Sequence, residues 1–320
     1  MESATPLISI ITPSFNQGRF IEETILSIRN QSYNNIEHIV IDGMSTDQTL
    51  EVLGRYSSSV KWISEPDTGQ TNAINKGLQR SHGEILAYLN SDDLYLPETI
   101  HTVVDYFSKH PEIDMVYGDI IHIDEDSKEI EEIKTGLIDI EKYLTGRVYL
   151  PQPTVFFRKK VFDKIGLFDE HLHLAMDFDY WVRIFLHCRT AYLPVLLAKA
   201  RIYPNAKSIV NSQKYLDERI YILDKTFSEE NADVLHFGSP QETERIKNRA
   251  YGYVYFHGGI GLQDRKQFPL AISYILRGIR LYPKKIFSSS ILWYFFIIIF
   301  GKKIAKKIEP HLPKPNRRVT

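Results

Sequence analysis

The sequence predicts an α/β fold, a sheet of nucleotide-binding type flanked by helices, with a helical extension behind it. Three observations predict it. Over the first 120 residues, short apolar runs alternate with segments of helical periodicity, and strands separated by helices imply crossovers within one sheet. The apolar runs end repeatedly in polar residues, namely Thr12, Ser14, Asp42, Glu65, Asp67, Asn90, Asp92 and Asp93. Ligands of such sheets bind outside the carboxyl ends of the strands. The chain of 320 residues is 43% hydrophobic and 25% charged, enough for a sizeable core and unlike a disordered chain.

The elements follow in order. Residues 7–12 read as a buried strand stopped by Pro13. Residues 18–30 read as a helix with Phe20, Ile21, Ile25 and Ile28 on one side. A second strand spans 36–41 and ends at Asp42, and a second helix spans 47–56, capped by Thr46 or Asp47. A short strand at 60–64, a helix at 70–80 and a strand at 85–89 lead to Asn90-Ser91-Asp92-Asp93. Pro97 opens a further helix at its favoured first position. Residues 115–121 form another strand, and the acidic stretch 124–142 is a hairpin or surface loop. A helix begins at Met176-Asp177-Phe178-Asp179-Tyr180-Trp181-Val182-Arg183. After about residue 215 the pattern is helical, with a pair at 242–256 and 268–281 joined by a turn at Gly258-Gly259-Ile260-Gly261. The expected organisation is an α/β domain over 1–215, a helical extension over 216–283 and a basic, apolar tail over 284–320.

Composition narrows the compartment and the partners. Cys188 is the single cysteine, so an intrachain disulfide and a cysteine-based zinc site are excluded, which suits a reducing compartment. The first residues lack a basic segment followed by an apolar one, so no secretory signal is expected. The net charge of −1 hides an asymmetry: nine of the 39 basic residues but one of the 40 acidic residues lie from Lys284 onward. The body is therefore −9 and the tail +8. The tail also holds an apolar run at 286–300 flanked by Lys284, Lys285, Lys302 and Lys303. As a helix of roughly 22 Å it is short of a ~30 Å hydrocarbon core. The expected role is a peripheral membrane anchor, against a buried core helix or a short span. Nucleic acid is not an expected partner, and the expected location is the cytoplasm, at the inner face of the membrane.

Asn90-Ser91-Asp92-Asp93 carries the most chemical information. Hard divalent cations favour carboxylate oxygens, and a diphosphate that must be held and then released needs its charge neutralised. Taken alone, the tetrapeptide is equally an acidic turn before a helix. Likewise Asp42 also reads as a capping turn acid, Lys76 as a solvated helix residue, and Trp181 as core rather than a sugar platform. Phosphate-binding Gly-x-x-x-x-Gly-Lys-Ser/Thr, His-Glu-x-x-His and Gly-x-Ser-x-Gly motifs are absent.

Taken as a set, the motifs 10–16 (IITPSFN), 39–47 (IVIDGMSTD), 64–70 (SEPDTGQ), 75–77 (NKG) and 89–93 (LNSDD) resemble family-2 glycosyltransferases. These have the GT-A fold, a Rossmann-like nucleotide-sugar-binding mixed sheet flanked by helices. The resemblance covers roughly residues 6–205 and is strongest to the branch that assembles bacterial surface polysaccharides. It implies inverting transfer of a sugar from a nucleotide-diphosphate sugar to a hydroxyl of a saccharide or lipid-linked saccharide acceptor, with a divalent cation, Mg or Mn.

The resemblance also implies roles. Thr12, Pro13 and Ser14 line the nucleotide pocket, Asp42 contacts the base, and Asp67 and Lys76 lie near the donor. Asp92 and Asp93 hold ribose and metal. Asp177 is the implied catalytic base, and Asp179, two residues on and about 200° around a helix, faces elsewhere. Arg183 is expected to pair with a carboxylate. Gln152-Pro153-Thr154-Val155-Phe156-Phe157 and Gly166-Leu167-Phe168-Asp169-Glu170 match as acceptor-side scaffold. The sequence departs from the family pattern at Gly43, Asn90, Met176 and Tyr203, where a second acid, an acid, an acid and a His are usual. Those departures keep open a rival reading, a catalytically silent protein that binds nucleotide-sugars or scaffolds an assembly.

Overall fold

The computed structural model describes residues 5–203, 212–235, 237–264 and 268–283. It divides into two compact units, residues 1–140 with 150–206 and residues 141–149 with 207–320. The first unit is a nine-stranded mixed sheet with helices packed on it. Its elements are β1 (Ile8–Ser14), α1 (Ile21–Arg29), β2 (Ile36–Asp42), α2 (Thr49–Arg55), β3 (Lys61–Ser64), α3 (Gln70–Gln79), β4 (Ile85–Tyr88), β5 (Leu94–Tyr95), α4 (Thr99–Lys109), β6 (Met115–Ile123) and β7 (Glu129–Ile133). After α5 (Ile140–Leu144) come β8 (Phe156–Arg158), α6 (Lys159–Ile165), α7 (Met176–His187) and β9 (Thr190–Arg201).

The strand order is β3-β2-β1-β4-β8-β6-β9-β5, with β7 paired to β6. The first four strands in sequence are parallel, as the alternation predicts, and β8 then enters antiparallel between β4 and β6. β1 is buried along its whole length, the environment that continuous Ile-rich strands require. The α1 stripe behaves as its spacing predicts: Phe20, Ile21, Ile25 and Ile28 are all buried. α3 meets β1 through Gly77, where an added Cβ would lie 2.3 Å from Ile11 Cγ2. The 124–142 stretch supplies the hairpin, with Asp124 Oδ1 accepting from the amides of Asp126 and Lys128 at its tip. α4 starts later than Pro97 suggests, because Glu98 stands at φ +65° before it.

The second unit holds α8 (Ser212–Thr226), α9 (Pro240–Asp264) and α10 (Phe268–Leu281). Two features depart from expectation. Residues 141–149 belong to this unit, where Arg249 Nη1 lies 3.1 Å from Glu141 Oε1 and Gly146, at φ +63°, sits against the Tyr253 ring. The Gly258–Gly261 stretch is not a turn; α9 runs through it. A Cβ at Gly258 would lie 2.7 Å from Leu216, and one at Gly259 would lie 2.9 Å from the Ala271 carbonyl. These glycines are where neighbouring helices approach too closely for a side chain. Among the described residues no helix is long and apolar enough to cross a membrane. The tail, 284–320, with its apolar run, lies outside the described residues.

Candidate active site

Parallel pairing aligns the carboxyl ends of β1 to β4 along one sheet edge, with Ser14 opposite Asp42 and Asp42 opposite Ser64. Thr12, Pro13 and Ser14 are all buried there. Thr12 Oγ1 lies 3.0 Å from His38 Nε2, and burial pushes the His38 pKa down to about 3, so the ring is neutral. The buried Ser14 Oγ has no hydrogen-bond partner among the described residues.

Asp42 is fully buried. Its carboxylate accepts from Ser45 N at 2.9 Å, Ser45 Oγ at 2.5 Å and Ser64 Oγ at 2.7 Å. With about four lone-pair directions on a carboxylate, roughly one is left for a ligand. The half-buried acid at this edge is Asp67, whose Oδ1 accepts from Gly69 N at 2.8 Å. Its other oxygen occupies the space above Gly43, where a Cβ would be only 2.6 Å away. A second acid after Asp42 would collide with Asp67, so the departure at Gly43 has a steric reason. Lys76 does not stand free: its Nζ lies 3.0 Å from Glu65 Oε1 and donates to the Pro66 carbonyl at 2.8 Å. It braces the β3–α3 loop that carries Asp67.

The loop after β4 brings together the two acids of the Asp92-Asp93 pair. Asp93 is buried and Asp92 only partly so. Asp93 Oδ1 accepts from Arg201 N at 3.0 Å and its Oδ2 from Asn90 Nδ2 at 3.1 Å. Asp92 Oδ2 accepts from Tyr203 Oη at 2.9 Å. Burial raises both carboxyl pKa values, and for Asp93, lifted well above the usual range, the neighbouring Asp92 adds to it. Asn90 is held in a polar chain: its Oδ1 accepts from Gln70 at 2.8 Å, and its amide donates to Gln152 Oε1 at 3.2 Å.

Arg201 organises this loop, a role that the sequence did not reveal. The β5–β9 pairing sets it beside the acids. Its fully buried side chain donates to the Asp92 carbonyl, to the carbonyls of Asp124 and Glu125, to Ser127 Oγ and to Glu23 Oε2. The guanidinium lies 4.5 Å from the Phe20 ring centroid, and Phe20 in turn contacts Tyr203.

α7 presents its first turn through α3. Thr71 Oγ1 donates to the Leu172 carbonyl at 2.6 Å, and Asn75 bridges the Phe168 carbonyl and amide and Glu170. Asp177, in the first turn of α7, is partly exposed. Asp179 is 2% exposed and binds Arg183 at 2.8 Å, while Arg183 also holds the carbonyls of Ile165 and Leu167. The two acids thus have different surroundings, as the helical angle predicts. Met176 is buried against the Thr71 hydroxyl, and burying an acid there would cost it its hydration. Trp181 is fully buried between Tyr88 and Phe168 and is core.

Among the described residues no three His, Cys, Asp or Glu side chains converge as a metal cage. Two adjacent carboxylates whose charged forms are disfavoured by burial and proximity are nevertheless a donor set that a hard cation suits. Diphosphate and water oxygens would have to complete its shell.

Comparison with known proteins places these features in a family. Residues 9–176, more than half the chain, match the family model for glycosyl transferase family 2. An uncharacterised glycosyltransferase of Rickettsia typhi is 30% identical over 207 residues, 62% of this chain; the chain spans 65% of that relative's length, just under two thirds. A PGL/p-HBAD biosynthesis glycosyltransferase of Mycobacterium tuberculosis is 27% identical over 220 residues, 67% of this chain and 84% of that one. Among solved structures, S. aureus TarS 1–349 in complex with UDP-GlcNAc is similar, with a TM-score of 0.59 at 18% identity over 86% of this chain and 89% of that one. The mannosyltransferase PcManGT of Pyrobaculum calidifontis, in complex with GDP-Man and Mn2+, gives 0.58 at 15% identity over 98% and 89%. At those identities the likeness is one of fold, and it agrees with the curled mixed sheet and flanking helices seen here. The chain belongs to glycosyl transferase family 2, and its sheet is that of a GT-A glycosyltransferase.

Proposed function

We propose that the chain transfers a sugar, with inversion, from a nucleotide-diphosphate sugar to an acceptor hydroxyl. The observation that carries this reading is the Asp92-Asp93 pair at the carboxyl edge of the sheet, with α7 and Asp177 tied to the same edge through α3. Thr12, Pro13, Ser14, Asp42 and Asp67 stand where the nucleotide would lie. Asp92, the more exposed acid, and Asp93 would hold a divalent cation, Mg or Mn. Bound there, the cation would neutralise the diphosphate and make it a better leaving group. Lys76 acts on the donor indirectly, by bracing the Asp67 loop.

In the chemical step the acceptor oxygen attacks the anomeric carbon, its proton passes to the Asp177 carboxylate, and the bond from that carbon to the β-phosphate oxygen breaks. The nucleotide diphosphate leaves with the bonding electrons. The nucleotide sugars in the two similar structures support a donor of this class, and the acceptor in this reading is a saccharide or lipid-linked saccharide. The basic tail would hold the enzyme at the cytoplasmic face of the membrane.

The test is a thermal-shift screen of UDP-, GDP- and dTDP-sugars with and without manganese, followed by donor hydrolysis with and without chelator. A manganese-dependent shift for one base and hydrolysis lost on chelation are expected. A shift without any turnover, with acceptor-like saccharides present, would favour the silent binding protein.

A further inference from the structure

The helical unit carries a cationic cavity that the transferase reading leaves unused. α9 and α10 pack antiparallel, with Gly252 against Gly278 and Tyr282 and Gly259 against Ala271 and Ile275. A Cβ at Gly278 would lie 2.9 Å from the Gly252 carbonyl. Backbones this close bring Lys247, Tyr251 and Tyr255 of α9 together with the exposed Arg277 and Arg280 of α10 around an open surface cavity of about 390 Å³.

The three cations there lack carboxylate partners among the described residues. Arg245 and Arg249 of the same unit have them, in Glu242 and Glu141. Among the described residues Lys247, Arg277 and Arg280 make no ion pair. Two nearby acids, Asp224 and Glu244, bond neutral groups of the lining, the Tyr251 hydroxyl and, at 2.9 Å, the Asn248 amide, rather than the cations. Arg277 is held in place with its guanidinium 4.3 Å from the Tyr255 ring centroid. An anion there would be attracted by all three charges at once. Guanidinium forks match phosphate oxygens two at a time, and a phosphate ester brings nearly two negative charges. We propose that this cavity binds a phosphate or diphosphate group, carried by a lipid headgroup or by a soluble ester. Ile272 and Leu276, exposed on α10 beside the two arginines, offer an apolar surface to whatever carries it.

The experiment compares the full chain with R280Q and K247Q, side chains that hold nothing else among the described residues, and with R277Q/R280Q. Each protein is titrated with inorganic pyrophosphate by calorimetry and floated with phosphatidylcholine vesicles with and without phosphatidic acid. The donor edge and the tail are the same in every protein, so only differences between proteins are read. Loss of a charge-assisted contact should weaken the affected binding about tenfold or more, with melting temperature unchanged for R280Q and K247Q. Weakened pyrophosphate binding identifies a soluble ligand class, and weakened vesicle binding alone identifies a headgroup. Folded variants that match the wild type in both assays would overturn the proposal.

Discussion

Asp177 and Asp179 stand two positions apart on one helix and differ in everything that matters for catalysis. Asp179 is buried on Arg183, whose remaining donors hold Ile165 and Leu167. Asp177 is partly exposed in the first turn. Asp177→Asn should therefore lower turnover about 100- to 10,000-fold with little change in donor affinity, read as kcat and Kd separately. Asp179→Asn should instead cost about 3 kcal/mol of stability, since Arg183 is left without its counter-charge, measured by denaturant unfolding. Reversed outcomes would move the base to Asp179. Asp93 shows what local sequence conceals. A loop carboxylate reads as removable, but this one is buried and accepts the Arg201 amide. Asp92→Asn is the cleaner probe of the cation, because Asp92 is the less buried acid and an amide oxygen in its place can still accept from Tyr203 Oη. The acids were legible because their spacing is local. Arg201 was not, because its partners come from residues 23, 92, 124, 125 and 127, which only the folded sheet assembles.

At the scale of elements, α3 links the donor edge to the helix that bears Asp177. Its Gly77 packs on Ile11 without room for a methyl group. Gly77→Ala should destabilise by about 1–3 kcal/mol through overpacking, although alanine is the better helix former; a raised melting temperature would sink this account. The opposite end of the sheet holds a second polar cluster. Glu37 is buried there and accepts from Ser9, Lys61, the His82 amide and the His82 ring. Burial alone would raise its pKa, but these bonds, that from Lys61 first, outweigh it and bring the value from 4.5 to about 2. A lowered carboxylate pKa gives stability that is full above about 4.5 and lost as pH falls toward 2. Glu37→Gln should be less stable than wild type at neutral pH, and the gap should close across that interval. A gap that is the same at pH 7 and pH 3 would show that charge contributes nothing there. Strand and helix periodicities were legible in the first 120 residues because each is a short-range pattern. The antiparallel entry of β8 between β4 and β6, and the helical course of residues 258–261, depend on long-range packing that periodicity does not encode.

For the whole molecule the governing fact is the charge asymmetry, −9 over residues 1–283 and +8 over 284–320. A tail of that sign beside an apolar run suits an anionic bilayer surface, where each Lys or Arg near the headgroups contributes about 1 kcal/mol at physiological salt. An acidic body would be repelled from such a surface, so in this proposal the tail supplies most of the attraction. Removing residues 284–320 should shift the protein from the vesicle-bound to the soluble fraction in sedimentation with phosphatidylglycerol vesicles. For the intact chain, binding should fall as salt rises and the Debye length shrinks from about 10 Å at 0.1 M to about 3 Å at 1 M. Donor hydrolysis should persist in the truncated chain, because every acid assigned to the donor edge lies before residue 204. Loss of the cooperative melt on truncation would instead mean that the apolar run is core. The tail would then belong to the helical unit rather than to the membrane.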